Sequence, residues 1–283
     1  MILDGRLVSK HIDNYVLSKI NEDKNYYNWK YVAFLLFEEN ISSRKYIEMK
    51  KKKAEKFGLN TKVIEDTNLD SFEKAISIID DLNFDENCIW ILVQLPINDK
   101  LKPYQGKILA NISPKKDIDG LWWVLFWLSQ IEAIYFLPAT VRAIFEILNF
   151  YKIKVSWKNV TVIWQSNLIG KPFAMECARQ QATIFSFNQF SKKQDIKDAC
   201  KNSDIIVSAT WQLKMIDESY INNEKMQVLI DVGWWIKDGK ASGDFDFEKI
   251  NTDNHMFTPV PGGVGPVTVS SIFANLIDLK EIL

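Results

Sequence analysis

Short apolar runs alternate with polar stretches of helical length along this chain, and that alternation restricts it to few architectures. In the first half, residues 32–36, 62–64 and 88–95 read as strands. The first and last of them are continuous enough to be buried on both faces. Between them, residues 43–57 are lysine-rich with Tyr46, Met49, Ala54 and Phe57 apolar, and Gly58 follows as a helix-terminating C′ residue. Residues 70–82 place Phe72, Ala75, Ile76 and Ile79 on one helical face. The order β-α-β-α-β predicts a parallel sheet covered by helices. The second half repeats the cycle, with strands at 160–163, 183–187, 205–207 and 228–232 and helices at 171–180 and 196–200. That half reads as a Rossmann-type nucleotide-binding domain. Residues 136–150 are expected to bridge the halves as a helix, and residues 269–279 to form a last one.

Bulk properties exclude several classes. A net charge of −1 gives no general attraction to nucleic acid or an anionic membrane. A membrane-spanning helix needs an uninterrupted apolar stretch of about 18 residues or more. No stretch here approaches that length. The N-terminal segment through Val16 carries Asp4, Arg6, Lys10 and His11, so it holds no apolar signal core. Cys88, Cys177 and Cys200 are odd in number and far apart. That spacing predicts no disulfide framework, no metal site and a reducing, cytoplasmic setting. Residues 258–268 gather three of the eleven glycines and three of the eight prolines. Such a segment reads as a rigid loop with accessible amides.

Several segments then form an ordered set: Ser43-x-x-Tyr46-x-x-x-Lys50, Val93-Gln94-Leu95-Pro96, Pro114-Lys115-Lys116-Asp117-Ile118-Asp119-Gly120, Ser166-Asn167-Leu168-Ile169-Gly170-Lys171-Pro172, Asp231-Val232-Gly233, and the loop from Pro261 to Pro266. Each is weak alone; a lysine in the run 50–53 is by composition a surface lysine, and Asp119-Gly120 by itself is a turn. Together, from about residue 30 to 280, they resemble the bifunctional 5,10-methylenetetrahydrofolate dehydrogenase/5,10-methenyltetrahydrofolate cyclohydrolase family. The resemblance implies two α/β domains flanking a cleft: residues 1–137 joined by a C-terminal helix 268–283, and a dinucleotide-binding domain 138–267. It implies a cytoplasmic homodimer that uses NADP, less often NAD, with no metal, to oxidise the methylene bridge and then hydrolyse the methenyl cation to 10-formyltetrahydrofolate. Lys50 matches the catalytic lysine, Tyr46 the aromatic beside the pterin, Gln94 the partner of the lysine and Asp119 the carboxylate that grips the pterin. Leu95, Pro96, Pro261, Gly262 and Gly265 match further substrate positions. Thr140, Trp164, Gln165, Ser166, Ile169, Trp211, Val232, Trp234 and Gly265 fall at cofactor positions.

The match breaks on the cofactor side. Trp164-Gln165-Ser166 stands where the family has Gly-x-Ser, commonly Gly-Arg-Ser. A pyrophosphate-facing glycine and a 2′-phosphate-pairing arginine are therefore missing. Trp211 and Trp157 likewise occupy frequent glycine positions, and Trp234-Trp235 follow Asp231-Val232-Gly233. Eight of the ten tryptophans lie between residues 122 and 235. A working dehydrogenase/cyclohydrolase is the main expectation. The alternative is a folate-binding homologue, cyclohydrolase-only or inactive, whose dinucleotide groove is filled by indoles. The apolar run 121–128 suggests a third class, a non-catalytic protein with tryptophan hot spots.

Overall fold

The structure is a computed structural model that describes residues 1–120, 123–131, 134, 136–237 and 240–282. It divides into two compact units, residues 12–139 with 269–283 and residues 1–11 with 140–268. Two of the three unit boundaries therefore fall inside the first and last helices, and the third falls at the start of the helix Ala139–Phe150.

The first of these units follows the helices α1 (Gly5–Glu22) and α2 (Lys24–Tyr27) with β1 (Tyr31–Leu36), α3 (Ile41–Lys56), β2 (Asn60–Glu65), α4 (Phe72–Phe84) and β3 (Cys88–Gln94). The three strands form a parallel sheet of order β2-β1-β3. Strands β1 and β3 are buried almost throughout, whereas β2, at the edge opposite β3, mixes exposed with half-buried residues. Gly58 closes α3 with φ +74°. In that left-handed conformation glycine carries no side-chain penalty. Ser71 caps α4, its hydroxyl accepting from the Lys74 amide at 3.3 Å. Serine is well suited to that position because its oxygen satisfies a first-turn N–H that has no partner within the helix. The helices α5 (Gln105–Ala110) and α6 (Trp123–Gln130) follow. Leu121 and Trp122, which open the apolar run noted in the sequence, lie outside the described residues.

The five-stranded unit runs α7 (Ala139–Phe150), β4 (Asn159–Ile163), α8 (Gly170–Arg179), β5 (Thr183–Phe187), α9 (Lys193–Asn202), β6 (Ile205–Ser208), β7 (Val228–Asp231), a hairpin of β8 (Trp235–Lys237) and β9 (Lys240–Ser242), and β10 (Met256–Phe257). Its sheet is parallel, of order β10-β7-β6-β4-β5. The chain moves from β4 outward to β5, then returns to β6 on the other side, so the order reverses between β4 and β6. In open α/β sheets that reversal opens a crevice at the carboxyl ends of the strands.

Two helix limits differ from the sequence reading. Residues 136–138 are not helical; α7 starts at Ala139, directly after Pro138. The proline ring disfavours the helical conformation in the residue before it. The last helix, α10 (Val264–Ile282), begins inside the glycine- and proline-rich segment. Pro266 falls in its first turn, where a missing N–H costs nothing. The loop proper is shorter, ending at Gly263.

Candidate active site

Helix α3 places Tyr46 and Lys50 one turn apart on one face. Lys50 is only 7% exposed, and its Nζ donates to Oε1 of Gln94 at 2.9 Å. Gln94 ends β3, and its own Nε2 donates to the Leu95 carbonyl at 2.7 Å, which fixes the amide's orientation. Burial pulls the Lys50 ammonium below its ordinary range, and the negative charge of Asp119 works against that shift. Asp119 feels the converse: burial pushes its carboxyl up while Lys50 holds it down. Burial also pushes the half-buried Tyr46 phenol up to about 12. Lys50, Gln94 and Asp119 thus form one electrostatically coupled group in the three-stranded unit. Leu95 and Pro96 continue directly from Gln94, Leu95 half-buried and Pro96 exposed.

The lysine run separates into different environments. Lys53 donates to both carboxylate oxygens of Asp13 at 2.7 Å and to Ser270 Oγ at 3.0 Å, and Ser270 donates to Asp13 at 2.8 Å. Burial favours a neutral Asp13, but the bonds from Lys53, Ser270 and Lys56 outweigh it and keep the carboxyl below its usual value. Lys52 is exposed.

Asp119 is held by its backbone. Its carbonyl accepts from the Ala139 amide at 3.1 Å, and the Gly120 amide donates to Asp117 at 3.2 Å. Gly120 has φ +70°, and a Cβ there would sit 2.9 Å from the Phe136 ring. Asn275 on α10 donates to the carbonyls of both Ile118 and Leu137, at 2.9 and 3.0 Å. The sequence reading did not single out Asn275; the signal available was an amide set within the apolar stretch Ile272 to Ile277.

The expected cofactor residues belong to the five-stranded unit. Trp164-Gln165-Ser166 leave β4, Trp211 follows β6, and Val232 and Trp234 follow β7, so they cluster at the carboxyl ends of three neighbouring strands. Trp164 has φ 91° and Trp211 φ 54°. The Trp164 amide donates to Phe187 O at 2.8 Å, and its carbonyl lies so close to Gly170 that a Cβ at 170 would collide with it. Gln165 is fixed by its donation to Ser186 O at 2.9 Å and by the Asn188 side-chain amide donating to it at 3.1 Å. Ser166 Oγ accepts from the amides of Ile169 and Gly170 at 3.1 and 3.3 Å, closing the turn into α8. Thr140 is half-buried in the first turn of α7. Asp244, unread in the sequence, pins the β6 exit by accepting from Ser208 Oγ and the amides of Thr210 and Gln212. Beside it, Asp231 accepts from the amides of Gly233, Asp244 and Phe245. Burial first, then the Asp244 charge, pushes the Asp231 carboxyl up to about 7. Pro261 is exposed, Gly262 has φ +107° and its carbonyl accepts from Gly5, and Gly265 lies half-buried in the first turn of α10.

Comparison with known proteins agrees with this geometry. The profile described as tetrahydrofolate dehydrogenase/cyclohydrolase, catalytic domain, matches residues 3–119, and that of the NAD(P)-binding domain matches residues 138–282. The bifunctional protein FolD of Lactobacillus acidophilus is 33% identical over 280 residues, covering 99% of this chain and 97% of that protein. That of Clostridium tetani is 33% identical over 282 residues, covering 98% of each. The solved bifunctional enzyme FolD from Campylobacter jejuni superposes with a TM-score of 0.91 at 28% identity, covering 100% of this chain and 99% of that one. The Trypanosoma brucei enzyme, solved with NADP cofactor and inhibitor, gives 0.90 at 28% identity, covering 99% and 97%. The chain belongs to the tetrahydrofolate dehydrogenase/cyclohydrolase family.

Proposed function

We propose that this protein oxidises 5,10-methylenetetrahydrofolate with NADP and hydrolyses the methenyl product to 10-formyltetrahydrofolate, with Lys50 as the proton-handling group of both steps. The observation that carries the reading is the buried Lys50 amine, bonded to Gln94 and coupled to Asp119. A lysine depressed by burial presents a larger neutral fraction near neutrality, which is what a general base requires. In hydrolysis, Lys50 takes a proton from the water that attacks the methenyl carbon. In oxidation its N–H polarises the bridging nitrogen. Gln94 holds Nζ in line for both. Asp119 grips the amino and ring nitrogen groups of the pterin, Tyr46 packs on its ring, and Leu95 and Pro96 support its edge.

The backbone of the five-stranded unit fits a dinucleotide: a sheet-order reversal, a left-handed turn after β4, and Gly170 in close approach to that turn. Thr140, residues 164–166, Ile169, Trp211, Val232, Trp234 and Gly265 would hold NADP, with Pro261 and Gly262 facing the substrate. When bound, NADP supplies the hydride acceptor. The deciding experiment is absorbance-monitored methenyl formation with NADP or NAD, followed by loss of the methenyl band. Absence of turnover with either cofactor rejects the reading.

The finer assignments have separate support. The family resemblance carries the homodimer, which sedimentation equilibrium tests. Three cysteines that are buried and unpaired accord with a reducing cytoplasm. Among the described residues, no helix is long and apolar enough to cross a membrane.

A further inference from the structure

Six described residues other than glycine have positive φ: Lys152, Trp157, Trp164, Gln181, Trp211 and Lys214. Lys152 and Gln181 sit just past the ends of α7 and α8. A single left-handed residue commonly ends a helix there. Asparagine and aspartate, the usual non-glycine occupants of this region, are absent from the six. Half are instead tryptophan, a residue with only ten copies in the whole chain. Side chains tolerate a left-handed basin at about +60°. Trp164, at φ 91°, lies beyond it. Glycine occupies that territory freely.

The indoles gain little burial in return for these conformations. Trp157 is 86% exposed and Trp211 47% exposed, and Trp164 is only half-buried. The interactions that fix these positions are made by backbone: the Trp157 amide to Gln181 O at 3.0 Å and the Trp164 amide to Phe187 O at 2.8 Å. Residue 164 takes a conformation that glycine adopts freely, residues 157 and 211 take the left-handed one that glycine adopts without penalty, and none of the three side chains is fully buried in return. A functional site retains strain when the strained side chain acts. An exposed indole at a turn such as 157, away from the sheet's carboxyl ends, has no such task.

We propose that residues 157, 164 and 211 are glycine in the protein as its own cell makes it. The three triplets belong to a codon that one genetic code reads as tryptophan and another as glycine, and UGA is that codon. A single decoding difference accounts for three otherwise unrelated strained positions. It also reopens the turns after β4 and β6 that flank the sheet-order reversal, so the inference deepens the dinucleotide reading and rests on it for the cofactor arm alone.

The test begins with the gene and the native protein. UGA at the three positions, together with peptides from protein purified from its own cells that carry glycine there, is the expected result. Each such peptide is lighter by the difference between an indolylmethyl group and hydrogen. UGG triplets, or native peptides containing tryptophan at these positions, overturn the proposal whether or not any variant folds. The cofactor arm compares the chain bearing tryptophan with its Trp157→Gly/Trp164→Gly/Trp211→Gly counterpart by calorimetry with NADP. The glycine form is expected to bind at least about tenfold more tightly, because it holds the left-handed turns without strain. Glycine peptides without that gain would count against the dinucleotide assignment of these loops and leave the decoding inference standing.

Discussion

Lys50 shows how far a residue's meaning depends on what is folded around it. As one of four consecutive lysines it carries no distinguishing mark in composition; buried beside Gln94 and coupled to Asp119, it becomes the proposed base. Replacing it, Lys50→Met, removes the proton acceptor and keeps the apolar stem. Methenyl hydrolysis should fall by roughly 100-fold or more, the usual weight of general acid–base catalysis. Folate binding measured by fluorescence should change little, and unchanged hydrolysis would show the assignment to be wrong. The pH dependence has a defined sign. Because burial depresses the Lys50 pKa, its neutral fraction rises with pH through an ionisation below the ordinary 10.5. The Asp119 charge opposes that depression, so Asp119→Asn should move the ionisation lower still. Labelling of Lys50 by acetic anhydride across a pH series reads this directly, and a shift upward would contradict the coupling.

At the scale of elements, the loop bearing Asp119 depends on α10 through one amide. Asn275→Leu keeps the γ-branched shape at a larger volume and strands two buried carbonyls, those of Ile118 and Leu137. An unsatisfied buried acceptor costs about 1–3 kcal/mol, so urea unfolding should show a loss on that order, with a raised KM for folate. Gly120→Ala meets two obstacles, φ +70° and the Phe136 ring at 2.9 Å. It should cost at least about 1–2 kcal/mol and displace Asp119 in the same assay. On the cofactor side, Gln165→Arg restores a charge where an amide now bonds Ser186 and Asn188. It should strengthen binding of NADP more than of NAD, and equal effects would place the 2′-phosphate elsewhere.

Across the whole molecule, what can be read from the chain is what repeats locally. The strands β1, β3, β4, β6 and β7 announce themselves, because parallel strands buried on both faces are continuous apolar runs. The helix α1 went unread although Val8, Ile12, Val16 and Ile20 recur at one-turn intervals and are all buried. The hairpin β8–β9 and the short β10 carry no period, and their pairing comes from their partners. Asn275 and Asp244 act on groups far away along the chain, a separation at which no local pattern reports. The proposed catalytic residues are legible only as an ordered set, since each alone has a commoner structural use. The same long reach makes the three-stranded unit discontinuous: Phe273 on α10 packs its ring 5.1 Å from Phe57 and 5.5 Å from Trp90. A fragment of residues 12–139 should therefore lack a cooperative thermal transition, and adding residues 269–283 as a separate peptide should restore one. Emerging from the ribosome, the earlier-made unit must wait with Phe57 and Trp90 uncovered until the final helix is synthesised. The unit encoded later can close first, so chaperone dependence during translation should concentrate on the opening half of the gene.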